Sequence, residues 1–353
     1  MSKLQDQVVA LKQSLTQGSI PVELQGRCES MIDDAAELLG NPAQIPLIEQ
    51  TLRYVEWIVS LPWDKRSQDV LDLAQAQKIL DSHHYGLDEV KTRVLEYLAV
   101  LKLKGQQQAQ EGTDDKGMRA PILCFVGLVG TGKTTIAISI AEAMGRQFVR
   151  IPFGGMSDSL DLRGQARVRP DAEVGLVIKA LRQAGTKNPV ILLDEIDRVA
   201  AETRADIMGV LVELLDPKQN YAFRDHYIDY PVDLSEVLFI ATANNTTHIA
   251  TAVLDRLEPI RMPSYSDSDK IAIGKMYVLP KLLSEAGIRN DQIIISDTVW
   301  PQVVRPLGFD SGIRSLERTI NGMVRKVARL IVEGTIQTLT INEQNVKDYL
   351  PQW

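Results

Sequence analysis

Two cysteines and four histidines are all that 353 residues provide in thiolate and imidazole metal ligands, and acidic side chains outnumber basic ones 46 to 39. Cys28 lies in a polar stretch of helical pattern and Cys124 in an apolar run; they supply neither a disulfide framework nor a thiolate metal site, and both are expected to be reduced and structural. His83, His84, His226 and His248 lack metal-ligand spacing. No apolar run approaches a bilayer span, and the start Met1-Ser-Lys-Leu-Gln-Asp-Gln lacks the charged-then-apolar order of a signal peptide. The sequence therefore predicts a soluble, cytoplasmic protein with no membrane partner. A net charge of −7 and a pI near 5.3 argue against coating nucleic acid as the main task, although a local basic surface is compatible with them. Polypeptide or small-molecule partners are favoured. With 44% hydrophobic residues the chain has enough apolar surface to fill substantial cores, divided among two or three domains.

What is present in force is a phosphate-binding pattern. Gly127-Leu-Val-Gly130-Thr131-Gly132-Lys133-Thr134 follows the apolar run Ile122-Leu-Cys-Phe-Val126 and precedes the helix-like Thr135-Ile-Ala-Ile-Ser-Ile-Ala-Glu-Ala-Met144. Glycines let a backbone fold so that successive N–H groups point at a phosphate chain, and the following helix adds its positive end. The expected contacts are Gly127, Gly130, Thr131, Gly132, Lys133, Thr134 and Thr135, with Lys133 on the outer phosphates and Thr134 on magnesium. ATP and Mg2+ are the cofactors implied. A Gly-rich turn between strand and helix also serves plain packing, and a downstream partner weighs against that reading. Val190-Ile-Leu-Leu-Asp194-Glu195 is an uninterrupted apolar run, as in a strand buried on both faces, with acids at the C-terminal end where ligands of open α/β sheets collect. Asp194 suits the magnesium shell, and Glu195 suits polarising an attacking water.

Residues 1 to about 77 show helical periodicity, as in Val8, Leu11 and Leu15, then Met31, Ala35 and Leu38, then Leu52, Val55 and Ile58, punctuated by Pro21, Pro42 and Pro62. About three helices are expected there, with Trp57 and Trp63 as packing anchors. A helix from Asp72 to about Ser82 leads to His84-Tyr85-Gly86-Leu87 and a helix from Asp88 to about Lys104. The polar stretch from Gly105 to Gly117 is expected to be a solvated, mobile connector. Strands at 121–126, 148–151, 190–194 and 237–242 then alternate with helices at 133–144, about 174–184 and 203–215. That alternation specifies an α/β fold with a parallel sheet covered by helices. From Ser268 onward the pattern is helical, apart from extended pieces at Ile293-Ile-Ile and Leu339-Thr-Ile.

Several segments resemble the ATPase module of Lon proteases, within the AAA+ superfamily, over nearly the whole chain. They include Leu61-Pro-Trp63, His83-His-Tyr-Gly-Leu87, Leu192-Leu-Asp-Glu-Ile-Asp197, Leu214-Leu-Asp-Pro217, Asp225-His-Tyr227, Leu254-Asp-Arg256 and Gly312-Ile-Arg314. The resemblance implies an AAA+ parallel-sheet P-loop NTPase domain at 78–265 (connector 105–117 included), an N-terminal helical segment at 1–77, and a small α-helical lid domain at 266–353. It implies that His84, Tyr85 and Leu87 flank the adenine and that Asn244 orients the lytic water with Glu195. Arg256 resembles the arginine finger that reaches the γ-phosphate of a neighbouring subunit, and Arg314 resembles the second sensor of the lid. A planar, permanently charged guanidinium suits both tasks. The implied function is ATP hydrolysis driving conformational change in a hexameric homo-oligomeric ring that remodels a polymer substrate. A nucleotide-dependent scaffold or switch without threading is the second reading, and a DNA-associated ATPase the third.

Two departures from the family pattern matter. Lon proteins continue into a peptidase domain with a serine-lysine dyad, whereas this chain stops at Tyr349-Leu-Pro-Gln-Trp353, so no proteolytic site is expected in it. A piece of a longer protein and a free-standing ATPase working alone or with a separate partner protein both fit. The second departure lies in the pore loop. Counted without gaps through Arg163-Gly164, the position of the family's substrate-gripping aromatic falls on Arg169, followed by Pro170 and Asp171. An aromatic grips diverse chains by apolar contact, which an arginine does not reproduce. Arg167 and Arg169 repeated around a ring would line a positive constriction for acidic polypeptide or nucleic acid, the latter disfavoured by overall acidity. A solvated loop without a gripping task weighs equally.

Overall fold

The computed structural model describes residues 2–111, 121–169, 171–305 and 312–351. A five-stranded sheet runs in the order Phe148–Pro152, Val190–Asp194, Leu238–Ala243, Ile122–Val126, Leu257–Arg261. Phe148–Pro152 and Leu238–Ala243 both pair parallel with Val190–Asp194, in registers that set Leu192 beside Arg150 and Ile240. Val190–Asp194 is buried at every position, which is why its sequence is apolar without alternation. The four expected strands are all present. The fifth, Leu257–Arg261, was not expected, because Glu258 and Pro259 make it read as a loop. It is a sheet edge, where a missing N–H and a charged side chain are tolerated.

Residue contacts group the chain into two compact units. One contains Met1–Asp72, Tyr97–Cys124 and Ile140–Pro259; the other contains Leu73–Glu96, Phe125–Ser139 and Ile260–Trp353. In the first, helices Ser2–Gln17, Val22–Glu37 and Ile45–Ser60 bury one stripe each, including Leu15, Cys28 and Ile32, and Tyr54 and Ile58. Trp57 and Trp63 do pack, but half-buried rather than in the core: the Arg182 guanidinium lies 4.2 Å over the Trp57 ring, and Trp63 meets Tyr230 edge-on at 6.2 Å while its Nε1 donates to the Ile58 carbonyl at 2.8 Å. The fully buried aromatic here is Tyr54, whose hydroxyl donates to the Ile228 carbonyl at 3.1 Å. Both cysteines are buried and free; burial pushes the Cys28 thiol up to about 11 and the Cys124 thiol up to about 12, leaving them unreactive.

In the second unit the helical C-terminal part has its own core, built from Ile273, Leu283, Trp300, Val303, Ile320 and Val327 among others. Its first helix, Asp267–Ile273, starts on a capping box between Ser266 and Asp269. The expected extended pieces, Ile293–Ile295 and Leu339–Ile341, pair parallel with each other. The helix beginning at Asp88 does not stop near Lys104 but continues to Glu111. Gln and Glu are good helix formers and Gly105 alone is a penalty of about 1 kcal/mol. The rest of the expected connector, 112–117, lies outside the described residues, as does Pro170. Among the described residues no helix is long and apolar enough to cross a membrane.

One close approach fixes the segment that leads into helix Leu176–Ala184. A Cβ on Gly175 would stand 2.1 Å from the Leu162 carbonyl oxygen, and the Gly175 N–H donates at 2.7 Å to the buried Asp225 carboxylate. The same carboxylate accepts from the N–H groups of Tyr227 and Ile228. Gly175→Ala forces backbone apart at this point and is expected to destabilise the unit by about 1–3 kcal/mol, read as a lower urea midpoint at unchanged slope.

Candidate active site

The residues expected at the nucleotide divide between the two units. His84, Tyr85, Leu87, the loop from Gly127 to Thr135 and Arg314 fall in one; Asp194, Glu195, Asn244 and Arg256 fall in the other.

The loop has the backbone its glycines allow. Gly130 and Gly132 have φ of 82° and 93°, a region closed to most side chains, and a Cβ on Gly127 would stand 2.7 Å from the Met262 carbonyl oxygen. Thr131 Oγ1 donates to the Leu128 carbonyl at 2.9 Å and Thr135 Oγ1 to the Gly132 carbonyl at 2.8 Å, so these hydroxyls brace the loop. Lys133 Nζ donates to the carbonyls of Gly127 (2.6 Å) and Leu128 (2.9 Å). The ammonium is thus held over the loop, in the place from which it would pair with phosphate oxygens. Thr134 stands half-buried in the first turn of helix Lys133–Ala143.

The C-terminal helical part touches this loop directly. The Ile313 N–H donates to the Gly130 carbonyl at 3.1 Å, and a Cβ on Gly312 would stand 2.5 Å from the Val129 carbonyl oxygen. Arg314, exposed in the first turn of helix Arg314–Val332, has its Cγ 3.4 Å from where a Gly130 Cβ would be. Tyr265 Oη donates to the Thr131 carbonyl at 3.3 Å. Tyr85, Tyr265 and Ile313 all pack against the same helical core. Met262 and Tyr265 were missed from sequence; Tyr265 sits four residues past the edge strand, and only that strand would have pointed to it.

His84 is buried, with Nε2 2.9 Å from Ser139 Oγ, while His83 Nδ1 lies 3.0 Å from the same hydroxyl. Burial first, then the charges of His83 and Lys91, lower the His84 pKa to about 4. Leu87 has φ of 57°, a strained value for a branched side chain, directly after Gly86 at 60°. That double left-handed turn carries the chain into the helix from Asp88.

In the other unit Asp194 ends its strand almost fully buried. Oδ2 accepts from Arg150 Nε at 2.7 Å, with Nη2 of the same guanidinium 2.6 Å away in the ion pair, and Oδ1 accepts from Thr242 Oγ1. The Thr242 hydroxyl in turn accepts from the Glu195 N–H at 2.9 Å. Of the roughly four lone-pair sites of a carboxylate, two are therefore taken by hydrogen bonds. The Asp194 carboxylate is a hard oxygen donor of the kind magnesium takes, one or two from protein with the rest of its shell from water and phosphate, and its remaining lone pairs fit that use; Thr134, in the other unit, is also a hard oxygen donor. Glu195 has φ of 58°, so its side chain leaves the strand line; its Oε2 lies 3.6 Å from Arg198 Nη1 and 3.2 Å from where a Gly154 Cβ would be. Asp197 accepts from the Asn244 N–H at 3.0 Å, fixing the end of strand Leu238–Ala243. Arg150, Asp197 and Thr242 were not singled out from sequence; a polar residue inside a buried parallel strand, as Thr242 is, was the available signal.

Arg256 donates from Nη1 to the Ala252 carbonyl at 2.6 Å and from Nη2 to Asp216 Oδ2 at 3.0 Å. The expected pair of pore arginines is not equivalent. Arg167 is half-buried with its guanidinium 3.8 Å over the Tyr54 ring, and its carbonyl accepts from Gln50 Nε2 at 2.6 Å, whereas Arg169 is exposed. Cation–π stacking on a buried aromatic thus engages the Arg167 guanidinium within its own chain.

Two family models match the chain: the ATPase family associated with various cellular activities (AAA) over residues 123–264, and the Lon protease AAA+ ATPase lid domain over residues 284–339. Among curated proteins the chain is similar to the Lon protease of Lawsonia intracellularis, 40% identical over 345 residues, covering 98% of this chain and 40% of that protein. It is 42% identical to Lon protease 2 of Thermus thermophilus over 347 residues, covering 98% of this chain and 43% of that protein. The chain thus spans about two fifths of the length of these relatives.

The lowered His84 pKa has a consequence for stability. Between pH 6.5 and about 4 the unfolded state binds a proton that folded His84 refuses, so this contribution is whole above pH 6.5 and is lost as pH falls towards 4. Unfolding free energies from urea titrations between pH 7 and 4 should fall by an amount on the order of 3 kcal/mol from this group, and His84→Gln should remove that part of the slope.

Proposed function

We propose, for a chain that belongs to the AAA ATPases and carries a Lon-type lid, that it binds ATP with magnesium and hydrolyses it to move its lid within a hexameric ring of identical subunits, remodelling a polymer substrate. The observation that carries this reading is the contact of Gly312 and Ile313 with the phosphate loop. A loop whose carbonyl at Gly130 bonds the lid backbone cannot change its conformation around a nucleotide without the lid responding.

In this reading Lys133 and the loop amides bind the phosphates, and Thr134 and Asp194 hold magnesium, which supplies charge neutralisation on the phosphates when bound. Glu195 accepts a proton from the attacking water, and Asn244 orients that water. Arg314 senses the phosphate from the lid, and His84, Tyr85 and Leu87 flank the adenine, with Tyr265 added to their corner. Arg256 acts on the nucleotide of the neighbouring subunit. Segments 1–77, 78–265 and 266–353 serve as helical platform, nucleotide-binding domain and lid.

The docking of Arg167 on Tyr54 favours a second reading, a nucleotide-dependent scaffold or switch that threads nothing, since it removes half of the expected positive constriction. A DNA-associated ATPase keeps only Arg169 in its favour. ATPase assays with casein-like protein or DNA separate the three. Stimulation by one names the substrate class, and stimulation by neither supports the switch.

Lys133→Ala is expected to weaken ATP binding, while Glu195→Gln leaves binding within about twofold and lowers turnover by roughly 10²-fold or more. Nucleotide titration and single-turnover assays read the two effects; wild-type turnover in Glu195→Gln removes Glu195 from the mechanism. Mixed rings of Glu195→Gln and Arg256→Ala chains should regain part of the activity that neither has alone, because an intact Glu195 then meets an intact Arg256 from its neighbour.

A further inference from the structure

We propose that Asp216 is a positioning residue for Arg256, setting the plane of its guanidinium before a nucleotide phosphate arrives. This rests on the reading of Arg256 as a residue that acts on the neighbouring subunit's nucleotide.

Asp216 ends helix Arg204–Leu215, and Pro217 prevents the helix from continuing. Its carboxylate is fixed by its own turn. Oδ1 accepts from the Lys218 N–H at 2.9 Å and Oδ2 from Gln219 Nε2 at 3.0 Å, while its backbone carbonyl accepts from the N–H groups of Gln219 and Asn220. The Lys218 N–H first, then Arg256 and Gln219, hold the carboxyl below the ordinary aspartate value against the opposing effect of burial. A fixed anion is therefore presented to Arg256.

Arg256 meets two anchors on different segments. Nη1 bonds the Ala252 carbonyl and Nη2 bonds Asp216, which defines the guanidinium plane. A guanidinium carries five N–H donors in a rigid fork. Two are used here, so Nε and one hydrogen on each terminal nitrogen remain for phosphate oxygens. Asp216 thus does not compete with the phosphate for the guanidinium; it removes the rotamer freedom that an unanchored arginine would lose on reaching one. Both side chains keep partial exposure, 27% for Arg256 and 17% for Asp216, so the pair adds little to folding stability, and its geometry bears on orientation instead.

Asp216→Asn tests this in the full chain, because the asparagine oxygen still accepts from the Lys218 N–H and the turn survives. We expect kcat for ATP to fall roughly tenfold with KM within about twofold, as for a misoriented catalytic group. Arg256→Ala lowers kcat at least as far, and the Asp216→Asn/Arg256→Ala double variant matches Arg256→Ala alone. In mixed rings with Glu195→Gln, the Asp216→Asn chain should restore less activity than the unmodified chain does. A further loss in the double variant equal to that of Asp216→Asn alone overturns the positioning role, as does an unchanged or raised kcat in Asp216→Asn. Wild-type kcat in Arg256→Ala by itself is a different failure, that of the parent reading of Arg256.

Discussion

A carboxylate at the end of a strand that has no solvent on either face is the constraint from which the acid half of the site follows. An ionised group in such a place must be paired and hydrogen-bonded or give up its charge. Asp194 meets that demand with Arg150 from the neighbouring strand on one oxygen and the Thr242 hydroxyl on the other. The register that sets Arg150 beside Leu192 and Pro152 beside Asp194 brings the guanidinium within reach, so the pairing of strands decides the charge environment of the acid. Thr242 passes the constraint on, because the oxygen that donates to Asp194 also accepts the Glu195 N–H. Glu195 is then held in a left-handed conformation that a glutamate would leave if it were free. Strain of that kind persists where the surroundings over-determine it, and here the surroundings are the hydrogen bonds of the preceding aspartate.

The phosphate loop is organised by a different demand, the close approach of backbone to backbone. Gly127 lies against Met262, and Gly312 lies against Val129 and Gly130, at separations that no side chain permits. The loop is therefore clasped by segments far along the chain, and its shape is not a property of the Gly-rich string alone. The Lys133 ammonium on two loop carbonyls shows the same economy of space, since a buried charge takes the nearest acceptors until a better anion is present.

Much of the sheet, and the elements that carry the proposed site residues, were legible in the sequence, for a physical reason. Val190–Asp194 and Ile122–Val126 are short apolar runs ending in chemically distinctive residues, so location and role coincide. Supporting residues were less legible because their function depends on neighbours in space. Arg150 looks like any strand arginine until its register is known, and Asp216 looks like a helix stop, which it also is. Leu257–Arg261 escaped notice because an edge strand relaxes the composition that makes inner strands recognisable. The helix from Asp88 outran its expected end because a polar run of helix formers carries no apolar stripe, and periodicity is the signal a sequence reading depends on.

Tyr54 shows why loop charge alone was a poor guide to loop task. Its hydroxyl donates to the Ile228 carbonyl at 3.1 Å, its ring lies 6.2 Å from that of Tyr227, and its face carries Arg167. One buried side chain of an N-terminal helix thereby joins the arginine loop to the segment around Asp225. The charge of Arg167 is spent on that junction, while Val168 beside it is 92% exposed. Val168 thus stands in solvent in a turn that the Arg169 N–H closes on the Ala166 carbonyl at 3.0 Å. With Arg167 docked on Tyr54, the side chains this turn presents to solvent are Val168 and Arg169, one apolar and one cationic, rather than two arginines.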